Sequence, residues 1–187
     1  MRERINVKRM KESVRPPLFN SGKEEEAWRY YDITNCYSYA LGMFEDIDHL
    51  RPGEISDMEY KTTYTDEEIF ERVIRDLEML GLECTVSCFE EKIEDEYSWK
   101  IAVMNVDPEE ELFYDYHFLK QGVNQKWFHK LSYDQFPSQY DSRHRVIENP
   151  ETASYSYRYH LVGYIVVRQV QAEKRASYDV NPILETS

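Results

Sequence analysis

The chain of 187 residues suits one hydrophobic core, and its 36 acidic against 23 basic residues give a formal charge of -13. That charge repels phosphate backbones, whose binding depends on Lys and Arg displacing counterions, so nucleic acid is excluded as a partner. The basic first twenty residues hold no apolar run of the signal-peptide kind, and no later stretch reaches the length of a membrane span.

A protein without a membrane partner, cytoplasmic or released without a signal peptide, is therefore expected. Cys36, Cys84 and Cys88 leave one thiol unpaired under any disulfide scheme, which fits a reducing compartment. A hydrophobic share of 41%, with 16 tyrosines, supplies enough apolar surface for a core.

In chain order, residues 1–26 are charged, with Pro16-Pro17 and a Glu24-Glu25-Glu26 run, and read as an arm or irregular lead-in. Cys36, Tyr39, Ala40, Met43 and Phe44 then recur at helical spacing, so a short buried helix is predicted to begin at Cys36, capped by Thr34 or Asn35. Arg51-Pro52-Gly53 is a turn. A second helix follows, with Thr65 as cap, Glu68 three residues on, and Ile69, Val73, Leu77 and Leu80 as its apolar stripe, ending at Gly81.

Strands are predicted over 83–89, 99–106, 112–121, 126–131 and 161–168, and residues 171–187 form a tail. Helices first and strands after, with connections too short for crossover helices, predict an α+β domain whose N-terminal helices pack on a mainly antiparallel sheet.

Cys36 stands where a helix begins, and unsatisfied N–H groups with the helix dipole favour a thiolate there. Position alone favours a small buried residue packed among aromatic neighbours. Two histidines bear on the choice. His117 and His129 lie in consecutive predicted strands around the turn residues Gly122-Val123-Asn124.

With a three-residue turn centred on Val123, Gln121 faces Gln125, Leu119 faces Trp127 and His117 faces His129. Alternation puts Asp115, His117, Leu119, Trp127 and His129 on one face, and Tyr116, Phe118 and Phe128 on the other. Neighbouring imidazoles suit a cysteine hydrolase in which one takes the thiol proton and the other orients it.

Paired histidines on a sheet are also found hydrogen-bonded in a core or facing solvent. One Cys, two His and Asp115 form a zinc ligand set on paper, but no close-spaced ligand pair supports it, and no metal or cofactor is expected. His49, His144 and His160 read as solvated surface residues, and Cys84 and Cys88 as packing along a strand.

The order Asn35-Cys36-Tyr37-Ser38-Tyr39-Ala40-Leu41-Gly42, Pro52-Gly53, Asp115-Tyr116-His117-Phe118-Leu119-Lys120-Gln121, Trp127-Phe128-His129-Lys130 resembles bacterial NlpC-type papain-like cysteine hydrolases. Ile147 to Ala153 and the strand around Gly163-Tyr164 extend the resemblance to roughly residues 35 to 168. The resemblance implies a papain-like hydrolase domain over 27–170, with Cys36 as nucleophile, His117 as base and His129 as its polar partner.

It also implies cleavage of an amide bond in a peptide or protein substrate, a cell-wall peptide first among them, through a thioester. Relatives act as amidases, acyltransferases or deamidating toxins, and a binding module of the same fold without turnover is the further alternative. The Cys36 backbone N–H is the expected oxyanion donor, with Trp28, Tyr30 or Tyr31 as a second. Asn35, Asp115 and Trp127 complete the oxyanion and substrate-binding candidates.

Overall fold

The structure is a computed structural model of the chain, and it describes residues 6–14, 34–43, 49–107, 109, 113–131 and 135–170. Among the described residues three helices, α1 (Val7–Ser13), α2 (Cys36–Ala40) and α3 (Asp66–Met79), precede five strands. The strands are β1 (Glu83–Ser87), β2 (Ser98–Val106), β3 (Tyr116–Gln121), β4 (Trp127–His129) and β5 (Tyr159–Arg168). They form one antiparallel sheet in the order β1-β5-β2-β3-β4, as the α+β pattern requires. The papain-like grouping is finer than this observation.

Local signals place the helices. The Asn35 side chain accepts from the Ser38 N–H at 2.8 Å while Ser38 reaches back to the Asn35 N–H, a capping box that starts α2 at Cys36. Thr65 and Glu68 make the same reciprocal pair for α3. That helix turns Ile69, Val73 and Leu77 inward and ends before Gly81, whose φ of 76° is left-handed.

The expected lead-in holds more structure than its charge suggests. Asn6 caps α1 through the Arg9 N–H, Met10 is buried, and Val14 bridges to Met43 and accepts from the Gln169 side chain. This segment joins the main core, because Met10 and Val14 at i and i+4 bury one face among charged neighbours. Residues 171–187 lie outside the described residues.

Every residue of β2 is buried, since both sheet faces are covered. One face, with Trp99, Ile101, Val103, Phe118 and Ile165, packs against the helices, and the Trp99 indole N–H donates to the Ala40 carbonyl at 2.9 Å. The other, with Ala102, Met104, Leu119 and Trp127, lies under Ile147, Ala153 and Tyr155.

Two departures from regular pairing prepare the site. The β3–β4 ladder runs Leu119↔His129, Lys120↔Phe128, Gln121↔Trp127, two residues out of the expected register. The connection is longer than a three-residue turn: Gln125 takes φ 57° and donates to the Gly122 carbonyl, and the Asn124 side chain accepts from the Lys126 N–H. A slip of two keeps every side chain on its expected face.

The second departure is a bulge in β5 opposite Val103/Met104. Before it, Gly163 faces the helices so closely that a Cβ would stand 2.9 Å from the Phe70 ring. Beyond it the alternation inverts, so Leu161 and Tyr159 join the opposite cluster while His160 turns to α3.

Beneath the helices, Asp76 accepts from the Tyr37 hydroxyl (2.7 Å), the Gly53 N–H (2.7 Å) and the Ser56 N–H and hydroxyl (2.8 and 2.6 Å). It joins α2, the 52–56 turn and α3. Gly53 has φ 86°, and a Cβ there would strike the Arg72 guanidinium, which donates to the Pro52 and Glu59 carbonyls.

Asp76→Ala should cost about 3 kcal/mol or more, because it strands several buried donors, whereas Tyr37→Phe should cost about 1 kcal/mol. Urea unfolding of both variants measures the difference. Equal losses would mean that Asp76 does not organise these segments.

Candidate functional site

Cys36, His117 and Asp115 line one cleft of about 780 Å³, within the size range of small-molecule and peptide sites. Cys36 arrives from the helix side of the sheet and His117 from the other. They share the cleft at the start of β3, where the ladder with β4 has already stopped at Leu119. Tyr37 holds α2 there by packing on Phe118, ring centroids 4.8 Å apart.

The two histidines are diagonal neighbours, not the directly opposed pair expected, with centroids 5.0 Å apart at 78°. His117 Nε2 lies 2.7 Å from His129 Nδ1, and His129 Nε2 lies 2.9 Å from the Tyr140 carbonyl. A carbonyl only accepts, so His129 carries its proton on Nε2. Neutral His129 then accepts at Nδ1, His117 donates from Nε2, and His117 Nδ1 is left as a base.

Burial sets the protonation states. His117, 5% exposed, is held well below the usual imidazole range by desolvation and then by His129. His129 is lowered by desolvation, with the Tyr140 carbonyl and Asp141 pulling the other way. The Cys36 thiol is pushed up to about 12 by burial and then by the Asp115 carboxylate, against the N–H groups of Phe118, Tyr37 and Cys36 itself.

Burial thus shifts the thiol and both imidazoles toward their neutral forms, where a helix start alone argued for a thiolate. A helix of five residues supplies too little dipole to offset desolvation.

The other expected site residues separate. Asn35 lines the cleft but spends its amide on capping α2 and on the Leu50 carbonyl at 2.7 Å. Asp115 lines the cleft and accepts from the Tyr159 hydroxyl at 2.5 Å. Trp127 belongs to the core, 1% exposed, with its ring 5.7 Å from Tyr164, because the two-residue slip carries it away from His117 to Gln121. Trp28, Tyr30 and Tyr31 lie outside the described residues.

Among the described residues no group of three His, Cys, Asp or Glu side chains is arranged to hold a metal ion, and no helix is long and apolar enough to cross a membrane. His160, expected as a solvated surface residue, contacts the Asp66 carboxylate at 2.9 Å. Cys84 packs half-buried on β1, whereas Cys88 lies beyond the strand end and is exposed.

Sequence reasoning missed Tyr155 and Tyr159. The Tyr159 ring stacks on His117 (5.4 Å, 24°), and Tyr155 stands edge-on to both imidazoles. A run of alternate tyrosines at 155, 157 and 159 leading into β5 was the available signal, but the bulge that turns Tyr159 toward His117 leaves no mark in composition.

It missed Asp141 as well. This carboxylate accepts from the N–H groups of Arg143, Arg145 and Ser154 and from the Arg145 guanidinium at 2.8 Å, pinning the loop that presents the Tyr140 carbonyl. Burial works to raise Asp141, but the Arg145 backbone and side chain, Ser154 and Arg143 hold it well below the ordinary carboxylate range. Stability from a lowered carboxylate is present above its unfolded value and lost only as pH falls through its folded one, so the loop stays pinned at neutral pH.

Nitrogen NMR of the imidazoles should therefore find both rings protonated at Nε2 at neutral pH. In Asp141→Ala the His129 signal should move toward the average of two tautomers. An unchanged His129 signal would show that Asp141 does not hold the carbonyl.

Comparison with family models, with curated proteins and with solved structures finds no match to this chain.

Proposed function

We propose that this chain is a cysteine hydrolase of papain-like architecture that cleaves amide bonds in a peptide or protein, with Cys36 as nucleophile, His117 as general base and His129 as the residue that positions it. The observation that carries the reading is the directed chain from the Tyr140 carbonyl through His129 to His117. It leaves His117 Nδ1 unprotonated in the cleft that holds the thiol. Support for the architecture comes from a capped helix headed by cysteine, packed on an antiparallel sheet whose adjacent strands carry the two histidines.

In this mechanism the Cys36 proton passes to His117 Nδ1 as sulfur attacks the carbonyl carbon. The oxyanion is received by backbone N–H groups at the start of α2. Collapse breaks the C–N bond, and the imidazolium gives its proton to the leaving amine. Water, deprotonated by His117, then attacks the thioester and returns the thiol.

Neutral resting groups suit such base-assisted attack, in which proton transfer accompanies bond formation. The resemblance of the Asn35–Leu41 and Asp115–Gln121 segments to NlpC-type enzymes makes a cell-wall peptide the first substrate to try. Deamidation or acyl transfer on a protein would use the same thioester.

The raised thiol favours one other reading, a binding module that keeps the fold without turnover. A burst of nitrophenol from an aryl ester separates the two. Wild type should release one equivalent per chain, Cys36→Ala none, and His117→Ala should acylate about 10²–10⁴-fold more slowly. His129→Ala should lose less, and the double variant should be little worse than His117→Ala, because the pair acts as a unit. A wild-type chain without a burst favours the binding module.

A further inference from the structure

The wall of the cleft beside Cys36 has a chemical bias. Among the described residues lining it, Asp115 is the one carboxylate. Its hydrogen bonds come from neutral donors, the Tyr159 hydroxyl at 2.5 Å and the Tyr116 N–H at 2.9 Å, and among the described residues no cation is paired with it. Tyr159 remains protonated, since burial and then Asp115 raise its pKa far above the phenol range.

Tyr159 bonds this carboxylate, and Tyr114, Tyr116, Tyr155 and Tyr157 line the same cleft. Their rings are packed edge to face or tilted, with Tyr155 and Tyr159 5.6 Å apart and Tyr157 and Tyr159 5.8 Å apart. Tyrosine faces carry the negative part of the ring quadrupole, and with a carboxylate among them they attract an organic cation. Of the basic side chains along the cleft, Arg51 lies over the Tyr60 ring at 4.7 Å, Lys61 is paired with Glu68, and Lys130 is fully buried.

Resting on the assignment of Cys36 as nucleophile, we infer that the substrate carries an organic cation, an ammonium or guanidinium, which seats against Asp115 between the tyrosine rings beside the scissile bond. Such a group would recognise the site and alter it. The Asp115 charge opposes thiolate formation at Cys36, and a substrate cation neutralises that charge at the moment of binding. The thiol would then ionise most readily when the right substrate is present, which limits attack on neutral or anionic amides.

The test compares three thiosulfonates that deliver a cationic trimethylammonioethyl, a neutral methyl or an anionic sulfonatoethyl group to thiols of the full chain, with site-resolved rates from mass spectrometry. The exposed Cys88 reports the general bias of an acidic protein. The cationic-to-anionic rate ratio at Cys36 should exceed that at Cys88 by about tenfold or more, in line with one close charge and the ring faces. In Asp115→Asn, which keeps a hydrogen-bond acceptor for Tyr159, the ratio should fall to the Cys88 value. Equal ratios at Cys36 and Cys88 in wild type overturn the inference without any variant, and so does a ratio that survives Asp115→Asn. Failure of the nucleophile assignment looks different: the wild-type chain then shows no aryl-ester burst, whatever the charge preference.

Discussion

A buried carboxylate with four donors decides where the cysteine helix stands. Asp76 on α3 draws in the Tyr37 hydroxyl, the Gly53 N–H and both donors of Ser56, so a single residue fixes α2 against α3 and closes the turn between them. Burial raises its pKa even so, which means that the hydrogen bonds offset only part of the desolvation. The arrangement is better understood as specifying position than as adding stability. Tyr37 follows Cys36 directly, and any drift of that ring moves the thiol relative to β3.

His117 is fixed from the opposite side of the sheet by a second polar chain. Asp141 pins its loop, the loop presents the Tyr140 carbonyl, the carbonyl sets His129, and His129 sets His117. Each link is directional, because a carbonyl cannot donate and a neutral imidazole has one donor and one acceptor. The β5 bulge adds the Tyr159 ring on the open face of His117. Two rigid polar networks thus approach one cleft from opposite faces, and Asp115 and the thiol both line it, with no cation paired to Asp115 among the described residues.

Local rules carried much of this into the sequence. Asn35 and Thr65 each have a side chain three residues on, Ser38 and Glu68, that completes the cap, so both helix starts were legible, and alternation put the two histidines on one face. Features set by tertiary packing were not. The hairpin slipped by two because Gln125 accepts a left-handed φ and Trp127 packs against Tyr164, neither of which a turn signal encodes. Met10 and Val14 lie in the segment read as a charged lead-in, and Val14 is paired there with Met43 and the Gln169 side chain, far apart in sequence.

The cysteine shows how a sound local rule can give the wrong charge state. A helix start stabilises a thiolate by fractions of a kcal/mol to about 2 kcal/mol in favourable geometry. Desolvating an ion costs several kcal/mol. At Cys36 the second effect outweighs the first: the helix is five residues long, the residue is half-buried in the cleft, and the Asp115 carboxylate there has the same sign as the thiolate it would face. His117 is subject to the same desolvation and stays neutral, so transferring the proton within the empty cleft would create two buried charges at once. On the proposed reading, a substrate's polar carbonyl, with a positive charge for Asp115, would change that balance from outside the fold. The acid strength of the cysteine would then be a property of the complex, which neither the residue type nor its place at a helix start encodes.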